Sequence, residues 1–330
     1  MGSPADRNTA HGAAAGRAAQ PDVVNTAHQA GSGVISADML LAIGALALPA
    51  IVYLIAAQRC HRQPRGWNHW RTASFIVGLI ILGMALRPST SDSFQDHMLG
   101  HLLLGMFAPL ALVLGAPMTL ALRTTPASVA KPLVHLLRSR PARITTHPAV
   151  LLIATVGGLA ALYFTPLFTL TERHGALHMV VHAHFFVGGY LFAWMIAGPD
   201  PGPDRPSVRM RLAVLGLAIL GHAVIAQLLY AGLFVAVDAP PDELRAGGTL
   251  MYYWGDIAEI LLALALLLTC VRTTGDSALA RGHETTRVVA AVRDRTRAVS
   301  DCRRSATPVR QVERAGRSRF ANPPDRWRDR

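Results

Sequence analysis

Seven long apolar stretches, separated by short polar segments, limit what this chain of 330 residues can fold into. Each stretch has close to the 17–25 residues that an α-helix needs to cross the hydrocarbon core of a bilayer. Backbone groups in that core must be hydrogen-bonded within the spanning segment, which favours helices. The sequence therefore predicts an all-α, polytopic membrane helix bundle with about seven transmembrane helices. The predicted spans are 36–57, 70–86, 97–121, 149–168, 176–197, 211–236 and 248–271.

Composition separates this chain from soluble proteins. Charged residues make up only 16% of it and the mean hydropathy is +0.31, whereas a soluble domain carries roughly 25% charged residues. We divide it into a disordered segment (1–35), a transmembrane domain (36–272) and an Arg-rich cytoplasmic tail (273–330). From Asp276 onward the tail holds fourteen Arg against seven Asp or Glu. Because the net charge of +12 lies mainly in this tail and in short loops, we predict no nucleic-acid partner.

The charge of the loops alternates along the chain. Segments 58–71, 122–148 and 198–211 are basic, and so is the tail. Segments 87–96, 169–175 and 238–247 are neutral or acidic. Cytoplasmic loops carry the excess of Lys and Arg in membrane proteins. The alternation predicts an outside N-terminus, an inside C-terminus and a multi-pass protein of the cell's inner (plasma) membrane.

Histidines enter the predicted membrane from its outer side in two pairs. His97 and His101 begin the third span, and His178 and His182 begin the fifth. Residues four apart share one helix face, so each pair can point into one cavity. His184 follows His182 by two residues, roughly 200° around the helix, so both cannot serve the same point.

Further ionisable residues lie deeper in the predicted bundle. His222 is near the middle of the sixth span, while Asp256 and Glu259 share one face of the seventh. Ionisable groups inside a membrane are costly and mark cavities, proton paths or cofactor sites. We predict a shared functional cavity. The candidate metal ligands are His97, His101, His178, His182, His184, His222 and Asp256.

Three chemistries suit this set of side chains. Imidazole with nearby methionine suits copper, and thioether sulfur favours Cu(I); the candidate methionines are Met98, Met106, Met179 and Met251. Two imidazoles from different helices could instead hold haem iron, and a series of His, Asp and Glu could carry protons. The three cysteines form no CxxC or CxxxC pair, which disfavours a thiolate metal centre. No nucleophile–base motif is present, so we predict that the chain is not an enzyme.

Four sequence blocks within residues 40–272 carry a family resemblance. They are Ser93-Phe94 with His97-Met98, His101, Ala108-Pro109 and 114–123; His182-Ala183-His184-Phe185-Phe186 with Gly189-Tyr190-Leu191-Phe192, Gly198-Pro199-Asp200-Pro201 and Arg205-Pro206; Arg211-Leu212 with Gly221-His222-Ala223; and Gly247-Gly248 with 251–256 and Glu259. Together they resemble the CtaG family of cytochrome c oxidase assembly proteins, the group named for the caa3-type oxidase.

This resemblance implies a multi-span membrane protein that supports the maturation of haem-copper oxidase through copper handling. The implied partners are haem-copper oxidase subunits and the lipid bilayer. A haem-binding membrane redox protein and a metal-free scaffold for oxidase assembly are the alternatives. The family often has Gly-Gly-Asp where this chain has Trp254-Gly255-Asp256. The tryptophan predicts a narrower cavity around Asp256.

Overall fold

A computed structural model describes residues 37–64, 66–87, 93–202 and 205–271. The predictions for the segments 1–35 and 273–330 lie outside these described residues. The chain forms two units, Met1–Pro49 and Ala50–Arg330. In the first unit the described residues are the opening turns of a helix, and the remaining described residues belong to the second unit.

Every regular element within the described residues is helical, as the apolar stretches predict. The helices are α1 (Ala37–His61), α2 (His69–Ala85), α3 (Phe94–Thr124), α4 (Ala127–Leu137), α5 (Arg140–Thr145), α6 (Pro148–Phe164), α7 (Leu167–Arg173), α8 (Gly175–Ala197), α9 (Val208–Ala231) and α10 (Pro241–Val271).

Five helices in the described part of the chain are long and apolar enough to cross a membrane: α1 from Gly44 onward, α3, α8, α9 and α10. The pair α6 and α7 makes a sixth if it is one span, although the two are bent by 76°. Pro166 causes this bend, because a residue before proline avoids the helical region, and Thr165 is accordingly extended. The helix α2 has only 17 residues. The five long apolar helices make the chain a multi-pass helical membrane protein.

Two hydrophobic clusters show that the long helices alternate in direction. One cluster joins Met98 near the start of α3 to Tyr163 at the end of α6 and Leu229 at the end of α9. The other joins Val113, late in α3, to Leu215, early in α9. We call the end with the first cluster the histidine end and the opposite end the basic end. The alternation agrees with the up-and-down order that the loop charges predict.

The helices α3 and α8 cross at two glycines. A methyl group on Gly189 would lie 1.8 Å from the carbonyl oxygen of Gly105, so no larger side chain fits there. Four residues beyond Gly105, Pro109 has no N–H to donate to that carbonyl. The helix widens there into a π turn at Leu103–Phe107. The close crossing places the first turns of α3 against the first turns of α8.

Near the basic end α3 is interrupted, and Asp200 caps the part that follows. Ala116 is left-handed with φ 52°, and Pro117 starts the helix again. Asp200 is 2% exposed. Its carboxylate accepts hydrogen bonds from the backbone N–H of Met118 at 3.0 Å and of Thr119 at 2.7 Å, and from the Thr119 hydroxyl. Asp200 therefore satisfies the N–H groups that the interruption frees.

The carbonyl groups at the same interruption also have side-chain partners. The Tyr53 hydroxyl donates to the Gly115 carbonyl at 2.7 Å, and the Ser74 hydroxyl donates to the Ala111 carbonyl at 2.7 Å. Tyr53 is held in place by stacking on Phe75, with ring centroids 3.9 Å apart. We call this arrangement, with Asp200, the Gly115 break. Its polar groups are satisfied by side chains from three other parts of the chain.

Candidate functional site

Four of the predicted histidines meet at the histidine end. Ser93 starts α3 by accepting a hydrogen bond from the Asp96 N–H, which places His97 and His101 in the first two turns. The helix α8 starts at Gly175, which places His178 and His182 in its first turns. Because α3 and α8 cross closely, these two pairs face each other. We call His97, His101, His178 and His182 the outer histidine cluster.

The rings of the outer histidine cluster are in contact along both helices and between them. Along α3, His97 and His101 have ring centroids 4.4 Å apart, and along α8 the centroids of His178 and His182 are 4.1 Å apart. Between the helices, His97 stacks on His178 at 5.8 Å and His101 meets the edge of His182 at 5.1 Å. The i, i+4 spacing within each pair was thus sufficient to identify neighbours on one face.

Hydrogen bonding constrains the protonation of these rings. The Nε2 atoms of His97 and His101 are 2.7 Å apart, so the N–H of one ring donates a hydrogen bond to the nitrogen of the other. Two further ring nitrogens, Nδ1 of His101 and Nε2 of His178, are buried without a hydrogen-bond partner among the described residues. Such groups normally have a partner, and a neutral imidazole nitrogen can offer its lone pair to a metal.

The donor chemistry of the outer histidine cluster therefore fits copper, which imidazole binds well. The structure does not place these four side chains around one common metal position. Within the part of the chain that it describes, no group of three or more His, Cys, Asp or Glu side chains is placed to hold a metal ion. The rings contact one another in pairs instead.

His184 in α8 and His174 just before it point away from this cluster. His184 is exposed, and its Nε2 donates to the carbonyl of Ala154 in α6 at 3.1 Å. It rests on Gly158, where a methyl group would lie 2.7 Å from the ring. His174 precedes the helix and interacts with the Leu170 carbonyl. The angular argument from the sequence thus separates His182 from His184 correctly, and the structure shows that His184 is the one that packs on a neighbouring helix.

A cavity of about 110 Å³ lies directly beneath the cluster, in the core of the bundle. We call it the inner cavity. His101 forms part of its wall, and so do Met98, Met106 and Met251. Residues of two π turns, Leu103–Phe107 in α3 and Ile153–Gly157 in α6, also line it. Single π turns inside α-helices occur frequently at functional sites.

His222 and Glu259 form a buried polar pair in the wall of the inner cavity, which is also lined by His101, Thr155, Tyr163 and His184. His222 is 4% exposed and Glu259 is 5% exposed. The His222 Nδ1 lies 3.5 Å from the Glu259 Oε1, which is an ion-pair distance but too long for a good hydrogen bond. Gly255 leaves room for the imidazole, because a methyl group there would lie 1.9 Å from the His222 Cε1. The pairing therefore depends on a glycine in α10.

The structure places the acid of this pair one turn away from where the sequence put it. Glu259 lines the inner cavity, whereas Asp256 is half-buried and does not. The signal that could have found Glu259 is a four-residue spacing, since Met251, Gly255 and Glu259 follow one stripe of α10. Trp254 is 46% exposed and packs edge-on against Phe107. The prediction that it narrows the cavity is therefore wrong.

Comparisons with known proteins place this chain in a family. Residues 51–273 match the family model described as cytochrome c oxidase caa3 assembly factor (Caa3_CtaG). Uncharacterised proteins of Mycobacterium bovis and Mycobacterium tuberculosis are each 34% identical over 197 residues, 56% of this chain and 30% of the relative. One of Mycobacterium leprae is 29% identical over 258 residues, 71% of this chain and 39% of the relative. This chain thus spans about a third of the length of these relatives. No solved structure matches it.

Proposed function

Because the chain belongs to the Caa3_CtaG family of cytochrome c oxidase assembly factors, we propose that it binds copper at the outer histidine cluster. It supplies this copper to an oxidase subunit whose copper centre faces the same side of the membrane. Family membership connects the chain with oxidase assembly in a membrane. The copper step is supported by the residues of the site.

One observation carries the proposal. Four imidazoles from α3 and α8 meet at one end of the bundle, and two of their buried nitrogens have no hydrogen-bond partner among the described residues. Copper uses imidazole ligands readily. The candidate holders are therefore His97, His101, His178 and His182. His184 packs on α6 and has no part in the proposed site, while His222 and Asp256 lie deeper in the bundle.

We further propose seven spans in the plasma membrane, with the N-terminus outside and the C-terminus inside. The helix α2 has 17 residues, hence a length of roughly 26 Å. That length is a little short of the ~30 Å hydrocarbon core. The loops 122–148 and 198–211, which both lie at the basic end, carry the positive charge expected of cytoplasmic loops. The outer histidine cluster would then face outward.

The packing of the rings does not favour haem. Their centroids lie 4.1–5.8 Å apart, in face or edge contact, which leaves no gap for a porphyrin between them. A metal-free scaffold would use the same histidines only for hydrogen bonding. One experiment distinguishes copper binding from both alternatives, the haem protein and the metal-free scaffold.

That experiment is to purify the full chain in detergent, offer Cu(I), and measure bound metal together with the visible spectrum. We expect bound copper in the wild type and its loss in the H97A/H101A double variant. The H174A variant is the matched control, because His174 is a histidine of the same end outside the cluster. A haem spectrum would support the redox alternative. If the wild type binds neither copper nor haem, the result would support the metal-free scaffold.

A further inference from the structure

Three buried polar atoms without hydrogen-bond partners belong to residues that line the inner cavity. They are Nδ1 of His101, Nδ1 of His222 and Oε2 of Glu259, and each of these residues is at least nine-tenths buried. We propose that the inner cavity is a second binding site, which holds a soft monovalent cation, Cu(I), through thioether and imidazole ligands. This inference rests on the proposed function and adds to it a deeper position and an oxidation state.

The burial of these atoms is the first argument. A polar group buried without a partner destabilises a protein, and the cost grows inside a membrane, where water is absent. Here the three residues that carry such groups all line one cavity. Packing alone does not require this, since leucine or phenylalanine would fill the same volume at lower cost. A ligand that accepts lone pairs would offset the cost.

The methionines indicate what kind of ligand the cavity takes. Met98 and Met251 are each 1% exposed and line the cavity together with Met106. The Tyr163 hydroxyl lies 3.4 Å from the Met98 sulfur and restricts that side chain in the core. Thioether sulfur is a soft ligand that favours Cu(I). Met179, by contrast, is 64% exposed on the surface of α8.

Charge balance gives a further reason for a monovalent ion. Glu259 is the one acidic side chain that lines the inner cavity among the described residues. Its carboxylate can neutralise a single positive charge, and the methionine and imidazole ligands are neutral. A divalent ion would leave one positive charge uncompensated in a nearly apolar interior, which is strongly unfavourable. The residues of the cavity therefore match Cu(I) better than Cu(II).

His101 connects the two sites. Its ring contacts His97 and His182 in the outer histidine cluster, and it also forms part of the wall of the inner cavity. The two sites therefore share one imidazole. An ion bound outside can reach the inner cavity by exchanging ligands around that ring.

The test loads the purified full chain with Cu(I), and separately with Ag(I) as a redox-inert analogue, and measures affinity by chelator competition. X-ray absorption of the copper-loaded protein reports whether sulfur is a ligand. We expect a sulfur contribution in the wild type that the M98L/M251L variant loses, with at least tenfold weaker Cu(I) binding. The variant E259Q should also bind Cu(I) at least tenfold more weakly, because it lacks the compensating charge.

Leucine replaces methionine with little change of volume, so these variants should fold. Thermal unfolding checks this, and the single variant M251L serves if the double variant is unstable. The matched control M179L should bind like the wild type, because its side chain points away from the bundle. Nitrogen ligation alone in the wild type would overturn the inner site and leave the outer one intact. Wild type that binds neither Cu(I) nor Ag(I) would overturn both.

Discussion

The Gly115 break and the inner cavity both place polar groups inside the bundle, but they differ in how these groups are satisfied. At the break, Asp200 accepts from the freed N–H groups, and hydroxyl groups donate to the carbonyls of Gly115 and Ala111. In the cavity, His222 and Glu259 each keep a buried atom without a hydrogen-bond partner. The first arrangement therefore serves the fold, whereas the second leaves the unpartnered atoms on which the proposed Cu(I) site rests.

The largest effect should follow from D200A, which removes the acceptor at the break. The N–H groups of Met118 and Thr119 would stay buried and unsatisfied, at about 1–3 kcal/mol each. We expect a large drop in the melting temperature in detergent, which is measured by tryptophan fluorescence. The copper stoichiometry of the folded fraction should stay unchanged. D200N keeps one acceptor oxygen and should lose less. Equal losses of stability in D200A and D200N would show that the hydrogen bonds to Asp200 do not cause the effect.

A smaller effect should follow from G255A in the wall of the inner cavity. The added methyl group would fall 1.9 Å from the His222 Cε1, so the ring must move. Overpacking of this kind costs about 1–3 kcal/mol, and we expect weaker Cu(I) binding as well. G216A is the control, since a methyl group on Gly216 meets nothing within 4 Å. Melting curves and chelator competition on both variants test this. Unchanged Cu(I) affinity in G255A would argue against a role for His222.

Apolar replacement of the cavity pair should change stability least among these substitutions. In H222L/E259L both partners of the buried pair are removed together without adding a metal ligand, which is often neutral or stabilising. We expect the melting temperature to stay at or above that of the wild type while Cu(I) affinity falls. A marked loss of stability, comparable with that of D200A, would make the pair structural and remove the contrast between the two regions.

The smallest effect concerns pH. Burial raises the pKa of Asp200 above its usual 3.8, against the opposing hydrogen bonds from Thr119 and Met118. The folded chain then binds a proton that the unfolded chain has lost, so this residue's contribution to stability falls as pH rises from about 3.8 through the raised pKa. We expect the stability of wild type relative to D200N to decline over that window and then level off. A flat difference would contradict the shift.

The sequence predicted the general fold and much of the outer histidine cluster. Both rest on local rules, because apolar length specifies a spanning helix and the i, i+4 spacing specifies a shared face. The same angular rule separated His184 from His182. The bend after α6 was missed, although Pro166 marks it in the sequence. The predicted count of seven spans stays a prediction.

Other features needed the tertiary structure, because they depend on which residues meet across helices. The crossing at Gly105 and Gly189 brings the two histidine pairs together, and the space beside Gly255 makes Glu259, not Asp256, the partner of His222. The capping of Met118 and Thr119 by Asp200 joins residues about 80 positions apart. The membrane-helix class and the histidine pairs could be predicted from local composition and spacing, and the family from the resemblance of four sequence blocks. The packing of the helices determines which polar groups have hydrogen-bond partners and which residues of the cavity wall keep a buried atom without one.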